Sequence, residues 1–232
     1  GFVGSNLCSY LRKINIPFEI LDLKKSRRFP DETRIVDIRK TSSIKNKITG
    51  DIVFHLAAVH SDNIFNSNEY YKTNVEGTKN IIAECEKKNI KRLIFTSSVA
   101  VYGFADAETN EDGPIKPFNE YGKTKFIAEE LLRCFHKKRK NKFSLTIIRP
   151  TVIFGEGNRG NVYNLFNQIA SGKFLMIGNG KNKKSLAYIG NFVPFLLKCI
   201  RSKSSYELFN YVDKPDLDMN SFTLIVKKHL RL

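Results

Sequence analysis

Gly1-Phe2-Val3-Gly4-Ser5-Asn6-Leu7 opens the chain as a glycine-bearing turn that leads into an amphipathic helical pattern over 7–14. An apolar run over 18–23 follows and carries Asp22 near its end, about 20 residues beyond the glycines. Helix N-terminal amides hold a pyrophosphate, glycines let the backbone approach it, and an acidic residue after the next strand binds a ribose. The stretch therefore predicts the second half of a dinucleotide-binding unit, and we expect its first strand and first glycine to precede residue 1.

The side chain at position 22 also bears on the choice of dinucleotide. A carboxylate that accepts hydrogen bonds from the adenosine ribose hydroxyls favours NAD. A basic run follows it and could instead face a 2′-phosphate, so the sequence leaves NADP open; this run comprises Lys24, Lys25, Arg27 and Arg28.

Short apolar runs alternate with longer segments of helical periodicity along the first 150 residues. This order is typical of a parallel sheet wound on both faces. Strands are predicted at 34–38, 51–56, 92–98 and 145–150, and helices at 70–88 and 121–140. Ligands of such sheets bind at the carboxyl ends of the strands. The residues expected at that edge are Asp22, Asp37, Ala57, Ser98 and Pro150.

The last third of the chain has a mixed pattern, which predicts a smaller lobe. A polar glycine loop at 155–161 introduces it. The pattern predicts helices at 162–170, 191–200 and 221–230, strands at 174–177 and 207–211, and a donor-rich turn at 178–184. We therefore expect an α/β fold with a dinucleotide-binding domain at 1–155. A partial substrate-binding lobe at 156–232 would be interleaved with the last elements of the sheet.

Composition argues against several other classes of protein. No apolar run approaches the ~20 residues that span a bilayer, and the four histidines have no metal-ligand spacing. The formal charge of +16 comes from lysines spread along the whole chain, without a base-stacking motif. A solvated lysine-rich surface is the favoured interpretation, so neither nucleic acid nor a membrane is expected as a partner. We expect buried free thiols and a reducing, cytoplasmic compartment from the cysteines, which are Cys8, Cys85, Cys134 and Cys199.

Tyr121-Gly122-Lys123-Thr124-Lys125 begins the longest predicted helix. Residues four apart lie on one helix face, so Tyr121 and Lys125 are expected on the same side, one turn apart. The phenol of tyrosine titrates near ~10, and an adjacent ammonium favours the phenolate. The pair therefore predicts an acid or base that works near neutral pH.

Eight motifs, taken in order, make the chain resemble the extended short-chain dehydrogenases/reductases. The resemblance is to the NAD-dependent epimerase/dehydratase family, which acts on nucleotide sugars. The motifs are GFVGSNL at 1–7, LDL at 21–23, VDIR at 36–39, HLAA at 55–58, TNVEGT at 73–78, FTSSVAVYG at 95–103, YGKTK at 121–125 and RPTVIFG at 149–155. The resemblance implies a Rossmann-like sheet, NAD as cofactor (NADP being possible) and a nucleotide-diphosphate sugar as substrate.

The resemblance also implies roles for individual residues. Tyr121 would exchange a proton with a sugar hydroxyl while hydride passes to the nicotinamide. Lys125 would bind the nicotinamide ribose and lower the pKa of Tyr121, and Ser98 would hydrogen-bond the same sugar hydroxyl. The implied cofactor-binding residues are Gly1, Phe2, Val3, Gly4, Asp22, Asp37, Ile38, Leu56, Ala57, Ala58, Thr73, Thr96, Tyr121, Lys125 and Pro150. The implied substrate-binding residues are Ser97, Ser98, Arg159, Asn161 and Lys184.

Departures from the family's patterns bear on the subclass. In 4,6-dehydratases an acidic pair follows the catalytic hydroxyl. The corresponding positions here are Ser98-Val99 or Ser97-Ser98, and the absence of a carboxylate argues against dehydration. Thr151-Val152 stands where sugar epimerases often have Asn, and Lys183 and Lys184 stand where the diphosphate-binding Arg is expected. A lysine can meet a phosphate as a point charge, without the bidentate fork.

Three functions therefore remain open. The favoured one is a nucleotide-sugar epimerase that recycles NAD. The second is an NAD(P)H-dependent nucleotide-sugar or related carbonyl reductase, and the third is a non-catalytic dinucleotide-binding or interaction protein. By family habit we also expect a homodimer formed through the helices that start near Tyr70 and Tyr121.

Overall fold

The computed structural model describes residues 1–60, 67–105, 108–139 and 142–230. The helices in these segments are α1 (Phe2–Lys13), α2 (Thr41–Ile44), α3 (Asn68–Tyr70), α4 (Gly77–Lys87), α5 (Glu120–Arg139), α6 (Asn161–Ala170), α7 (Ile189–Ile200) and α8 (Met219–Leu230). The strands are β1 (Ile20–Asp22), β2 (Thr33–Ile35), β3 (Ile52–His55), β4 (Arg92–Thr96), β5 (Ser144–Pro150), β6 (Val152–Phe154), β7 (Lys183–Tyr188), β8 (Tyr206–Tyr211) and β9 (Asp213–Asp218). A π-helical turn, Tyr71–Glu76, joins α3 to α4, and a 3₁₀ helix, Val99–Tyr102, follows β4.

Four parallel strands form the main sheet in the order β3-β4-β5-β8, and β1 and β2 form a separate parallel pair. Phe95 of β4 lies beside His55 on one side and beside Ile147 on the other. Parallel neighbours require crossover connections, which the helices between them supply. The carboxyl ends of β3, β4 and β5 therefore meet at one edge of the sheet.

Both faces of the main sheet are covered by helices. Successive side chains of a strand point to opposite faces, and in β4 Leu93 and Phe95 enter one core while Ile94 enters the other. The first core includes Cys85 of α4 and Leu132 of α5. The second core packs α1 and α7 against the sheet. The prediction of a doubly wound, Rossmann-like α/β fold is confirmed by this arrangement.

A second sheet, in the order β6-β7-β9, forms a smaller lobe together with α6 and α8. In this sheet β6 is parallel and β9 antiparallel to β7. The division of the chain at residue 155 stays a prediction. We note that Val152–Phe154 already belongs to the sheet of the lobe, and that Tyr206–Tyr211 returns to the main sheet.

The predicted strand at 174–177 is wrong. These residues form no strand, and the side chains of Leu175 and Ile177 are 82% and 90% exposed. Phe174 and Met176 instead pack against the core between α6 and α8. The alternation of side chains over 174–177 therefore comes from an extended loop, in which every second side chain packs on this core. The predicted turn at 178–184 also ends early, because Lys183 already begins β7.

Two other expectations need correction. Cys134 is exposed, whereas the other three cysteines are buried as predicted. It lies on the outer side of α5, between the inward-facing Leu132 and Phe135. The helix predicted at 70–88 is interrupted by the π-helical turn, and Lys140, the predicted end of the next helix, lies outside the described residues.

Truncation of a side chain in the first core should destabilise the fold. Leu132 is fully buried, so Leu132→Ala should lower the free energy of unfolding by ~2–5 kcal/mol through lost burial and a residual cavity. Leu224→Ala is the matched control, because Leu224 is 69% exposed. Urea unfolding measures both variants, and equal losses in the two would contradict this account of the core.

Candidate active site

Helix α5 begins at the carboxyl edge of the sheet with a side-chain cap. Asn119 Oδ1 accepts a hydrogen bond of 2.8 Å from the backbone N–H of Gly122. This cap fixes the first turn of the helix, which carries Tyr121. The positive end of the helix dipole lies in the same turn and favours a negative charge there.

Lys125 is held at the end of β4. Its Nζ donates a hydrogen bond of 2.5 Å to the carbonyl of Thr96 and lies 4.1 Å from the ring centre of Phe95. The side chain is 2% exposed, and burial lowers the pKa of Lys125 to about 7, although the carboxylate of Glu129 opposes the shift. The ammonium therefore loses or gains its proton near neutral pH.

Ser98 lies between Thr96 and Ala100, and helix α5 contacts the backbone at both of these residues. The carbonyl of Thr96 accepts the bond from Lys125, and the carbonyl of Ala100 lies so close to Gly122 that a Cβ at residue 122 would clash with it. Ser98 Oγ accepts a hydrogen bond of 3.1 Å from the N–H of Ala100 and so caps the 3₁₀ helix. The structure thus brings Ser98 next to the turn that carries Tyr121 and Lys125.

Two of the predicted cofactor-lining residues, Gly4 and Leu56, come together from distant parts of the sequence, and three others are buried. A Cβ at Gly4 would lie 3.7 Å from Leu56, so the first glycine turn faces the end of β3. Ile38 packs against Gly77 so closely that a Cβ at residue 77 would clash with it. Thr73 is buried in the π-helical turn, and Pro150 is buried at the end of β5.

The two predicted acidic contacts differ in their surroundings. Asp22 ends β1 and accepts a hydrogen bond of 3.2 Å from the N–H of Lys24. Asp37 is already engaged, because Arg39 donates to both of its carboxylate oxygens at 2.9 Å. The hydrogen bonds from Arg39 hold the pKa of the Asp37 carboxyl below its usual value.

Two buried hydroxyls near this edge fit a bound ligand. Thr96 Oγ1 and Ser97 Oγ have no hydrogen-bond partner within the described part of the chain. A buried hydroxyl without a partner is costly, and such groups at a sheet edge are satisfied by water or a ligand. Both belong to the predicted site, Thr96 on the cofactor side and Ser97 on the substrate side, and the residues present therefore fit a dinucleotide and its substrate.

Sequence reasoning missed Asn74, which connects the cofactor side to the catalytic helix. Its Oδ1 accepts a bond of 2.8 Å from Val59 N–H, and its Nδ2 donates to the carbonyl of Val59 and to Thr124 Oγ1 at 3.1 and 3.0 Å. It lies in the π-helical turn, a feature that often marks functional sites. The TNVEGT motif contains Asn74, but its partners are 15 and 50 residues away.

His55 was not assigned a role from the sequence and remains uncharged in the structure. Burial, together with the charge of Lys125, lowers the pKa of His55 to about 3. Its Nε2 is hydrogen-bonded to Thr78 Oγ1 at 2.9 Å, and its ring lies against Phe95 at 5.1 Å between centres. This arrangement fits a core histidine behind the cofactor edge rather than a proton-transfer group.

The predicted substrate residues of the lobe are spread over two elements. Asn161 begins α6 and lines a cavity of about 250 Å³ with Phe154, Glu156 and Tyr188. Lys184 lies on β7, four residues before Tyr188. Their roles stay predictions. Within the described residues, no group of three or more His, Cys, Asp or Glu side chains could hold a metal ion.

A two-sided parallel sheet with Tyr121, Lys125 and Ser98 at its carboxyl edge defines a dinucleotide-dependent enzyme of the short-chain dehydrogenase/reductase type. The chain belongs to the NAD dependent epimerase/dehydratase family, whose model it matches over residues 1–211. The predicted family, the enzyme class, the epimerase function and NAD as cofactor are confirmed. The roles of individual site residues stay predictions.

One relative is an N-acetyl-alpha-D-glucosaminyl-diphospho-ditrans,octacis-undecaprenol 4-epimerase of Escherichia coli O157:H7. It is 48% identical over 233 residues, which cover 99% of this chain and 70% of that protein. A second relative, an uncharacterized protein of Sinorhizobium fredii, is 24% identical, and the match covers 88% of this chain and 59% of that protein.

Two solved structures share the fold of this chain. MoeE5 in complex with UDP-glucose and NAD superposes with a TM-score of 0.85 at 23% identity, covering 99% of this chain and 79% of that one. The UDP-Glc/GlcNAc 4-epimerase of Campylobacter jejuni gives a TM-score of 0.84 at 20% identity, covering 100% and 82%. Among the helices of the described segments, none combines the length and apolarity needed to cross a bilayer.

The burial of Lys125 should make stability depend on pH. Its pKa falls from an ordinary 10.5 to about 7 on folding, so between these values the unfolded chain binds more protons than the folded one. The contribution of this group to stability therefore rises as pH increases through that window. Lys125→Met removes this titration, and its stability relative to the parent should fall as pH rises.

Urea unfolding of the dinucleotide-free parent and variant at about pH 6 and about pH 9 measures this difference. The parent serves as the control for all other groups that titrate in the same range. A stability difference that is the same at both pH values would contradict the buried position of Lys125.

Proposed function

We propose that this protein interconverts the C4 epimers of an N-acetylhexosamine that is linked through a diphosphate to a polyprenyl carrier. The observation that carries the proposal is the 48% identity, over 99% of the chain, with the Escherichia coli 4-epimerase of a glucosaminyl-diphospho-undecaprenol. The sequence analysis predicted a nucleotide-diphosphate sugar. The proposal keeps the diphosphate sugar and replaces the nucleotide by a lipid.

The trio at the sheet edge supplies the chemistry that this reaction needs. Oxidation of the C4 alcohol to a ketone requires a destination for the hydroxyl proton, and Tyr121 takes that proton. Lys125, one turn further along α5, favours the phenolate, and Ser98 hydrogen-bonds the same sugar oxygen. NAD, when bound, would supply the hydride acceptor for C4 and return the hydride to the opposite face of the ketone, which would invert C4 with no net oxidation.

The charge of the lobe supports a diphosphate substrate. No acidic residue occurs between Glu156 and Glu207. The cationic side chains that this segment gives to the lobe create a positive potential that attracts an anion, although Lys183 stands in register with Asp218 of β9; they are Arg159, Lys173, Lys181, Lys183 and Lys184. We assign binding of the diphosphate to Arg159 and Lys184, which belong to this group of cations, and to Asn161, which begins α6.

The lining of the lobe cavity supports an apolar carrier. Its walls are mostly aliphatic and aromatic, and include Ile153, Phe154, Val162, Tyr163, Phe166 and Tyr188. The charged group among its lining residues is Glu156, whose carboxylate accepts hydrogen bonds of 3.0 Å from the hydroxyl of Tyr188. A carboxylate repels a phosphate, so an uncharged apolar group fits this cavity better.

We also propose a homodimer that works in the cytoplasm, as the sequence analysis predicted. Tyr71 and Ile127, which lie in the π-helical turn and on α5, are 42% and 39% exposed and offer apolar surface for a second copy. Light scattering of the parent should give the mass of a dimer, and Ile127→Lys should give the mass of a monomer. A monomeric parent would refute this part of the proposal.

Turnover should depend on the carrier and on Tyr121. We expect the parent enzyme, incubated with N-acetylglucosaminyl-diphospho-polyprenol, to form the 4-epimer without added NAD or net NADH production. UDP-N-acetylglucosamine should react much more slowly. Tyr121→Phe should abolish turnover of both while NAD stays bound, because the variant keeps Lys125 and removes the proton acceptor.

Product sugars are measured by NMR, and retained NAD by absorbance after denaturation. Tyr10→Phe, which changes an exposed tyrosine on α1, is the matched control and should keep full activity. A preference for the UDP-sugar would refute the lipid carrier, stoichiometric NAD(P)H oxidation would indicate the reductase, and full activity of Tyr121→Phe would refute the mechanism.

A further inference from the structure

Arg149, near the end of β5, has a guanidinium that is buried at 2% exposure and bonded in two directions. Its Nε and Nη2 donate to the two carboxylate oxygens of Glu129 at 2.9 and 2.6 Å. Its Nη1 donates to the hydroxyl of Tyr102 at 2.6 Å, and the guanidinium carbon lies 4.9 Å from the ring centre of Tyr102. One side chain thus connects α5 with the 3₁₀ helix after β4.

The first partner belongs to the catalytic helix. Glu129 is one turn beyond Lys125 and two turns beyond Tyr121, so all three lie on one face of α5. It is fully buried and also accepts a hydrogen bond of 2.8 Å from Nη2 of Arg133. The two hydrogen bonds from Arg149 to Glu129 therefore fix the rotation of α5 about its axis and its position along β5.

The second partner belongs to the segment that carries Ser98. Tyr102 ends the 3₁₀ helix that Ser98 caps, and its hydroxyl donates to Asn210 Oδ1 of β8 at 2.8 Å. The backbone N–H of Asn210 donates to Glu111 at 2.6 Å, and Arg149 also donates to the carbonyl of Glu111 at 3.2 Å. The chain between Ser98 and α5 is thereby tied to the sheet.

We infer that Arg149 is a positioning residue of the epimerase, which holds Ser98 at a fixed distance from Tyr121 and Lys125 by binding Tyr102 and Glu129 at the same time. The expected changes in turnover rest on the proposed function, because they are measured on the epimerase reaction. Arginine suits this role because its planar guanidinium presents donors in fixed directions to two partners, whereas a lysine ammonium is a point charge.

Net stabilisation is a weak explanation for this pair. Replacement of a buried ion pair by apolar residues is often neutral for stability, because desolvation of the two charges offsets their attraction. Fixed geometry is the stronger explanation, since proton and hydride transfer require groups held within about 0.5 Å of their productive positions. The buried network supplies this constraint on both sides of the trio.

Tyr102→Phe tests the inference with the smallest change. The variant keeps the ring beside Arg149 and removes only the hydroxyl. We expect kcat to fall about 10- to 100-fold, with KM and retained NAD changed by no more than about twofold. Formation of enzyme-bound NADH at the ketone stage, followed by absorbance after rapid mixing, should slow by the same factor as kcat.

Tyr206→Phe is the matched control, because it removes a tyrosine hydroxyl from the outer end of the same network. That hydroxyl accepts a hydrogen bond of 2.9 Å from Nε of Arg133, and its residue lies 36% exposed at the start of β8. Its kcat should equal that of the parent. A parent-like kcat in Tyr102→Phe, or an equal fall in both variants, would overturn the inference.

Crystal structures of the parent, Tyr102→Phe and Arg149→Lys give a readout that does not depend on turnover. The separation of Ser98 Oγ and Tyr121 Oη should grow by about 0.5 Å or more in both variants. An unchanged separation in whichever variant folds would overturn the positioning role. An inactive parent would refute the proposed function alone, since the structures would still decide the inference.

Discussion

The burial of the Lys125 ammonium against the end of β4 is the contact on which the site depends. The Thr96 carbonyl and the Phe95 ring hold the charged group at the edge of the sheet where its four parallel strands end. Burial of a lysine is expensive, and a carbonyl with an aromatic face compensates only part of that cost. The part of the desolvation cost that is not compensated lowers the pKa of Lys125 to about 7, so this side chain titrates near neutral pH.

Two polar networks hold the catalytic helix from opposite sides. On one side, Asn74 joins Thr124 to the backbone of Val59, which follows β3. On the other side, the guanidinium of Arg149 joins Glu129 to the 3₁₀ helix that Ser98 caps. Buried networks that are fully hydrogen-bonded specify one geometry, because any shift leaves a polar group without a partner. The helix that carries Tyr121 therefore has little freedom to move relative to the main sheet.

The smaller lobe differs from the main domain in its strand directions and in its surface chemistry. Its sheet includes an antiparallel pair and a short first strand, and the cavity at its glycine loop is bounded mostly by apolar side chains. The sequence from 157 to 206 carries cations and no acidic residue, and β9 brings Asp218 into register with Lys183. The proposed substrate, a diphosphate that joins a sugar to an apolar carrier, would match both the cations and the apolar cavity of the lobe.

The sequence by itself determined the doubly wound sheet, because strand and helix periods differ and each motif carries a local signature. It also supplied the trio as a prediction, since Tyr121 and Lys125 are four residues apart and the family resemblance adds Ser98, which lies two residues beyond the end of β4. Only the tertiary structure decided that Leu175 and Ile177 lie in a loop, because strand formation needs a partner that the local pattern does not reveal. It alone decided that Arg149 meets residues 20 and 47 positions away, since burial and pairing of charges depend on how distant segments pack.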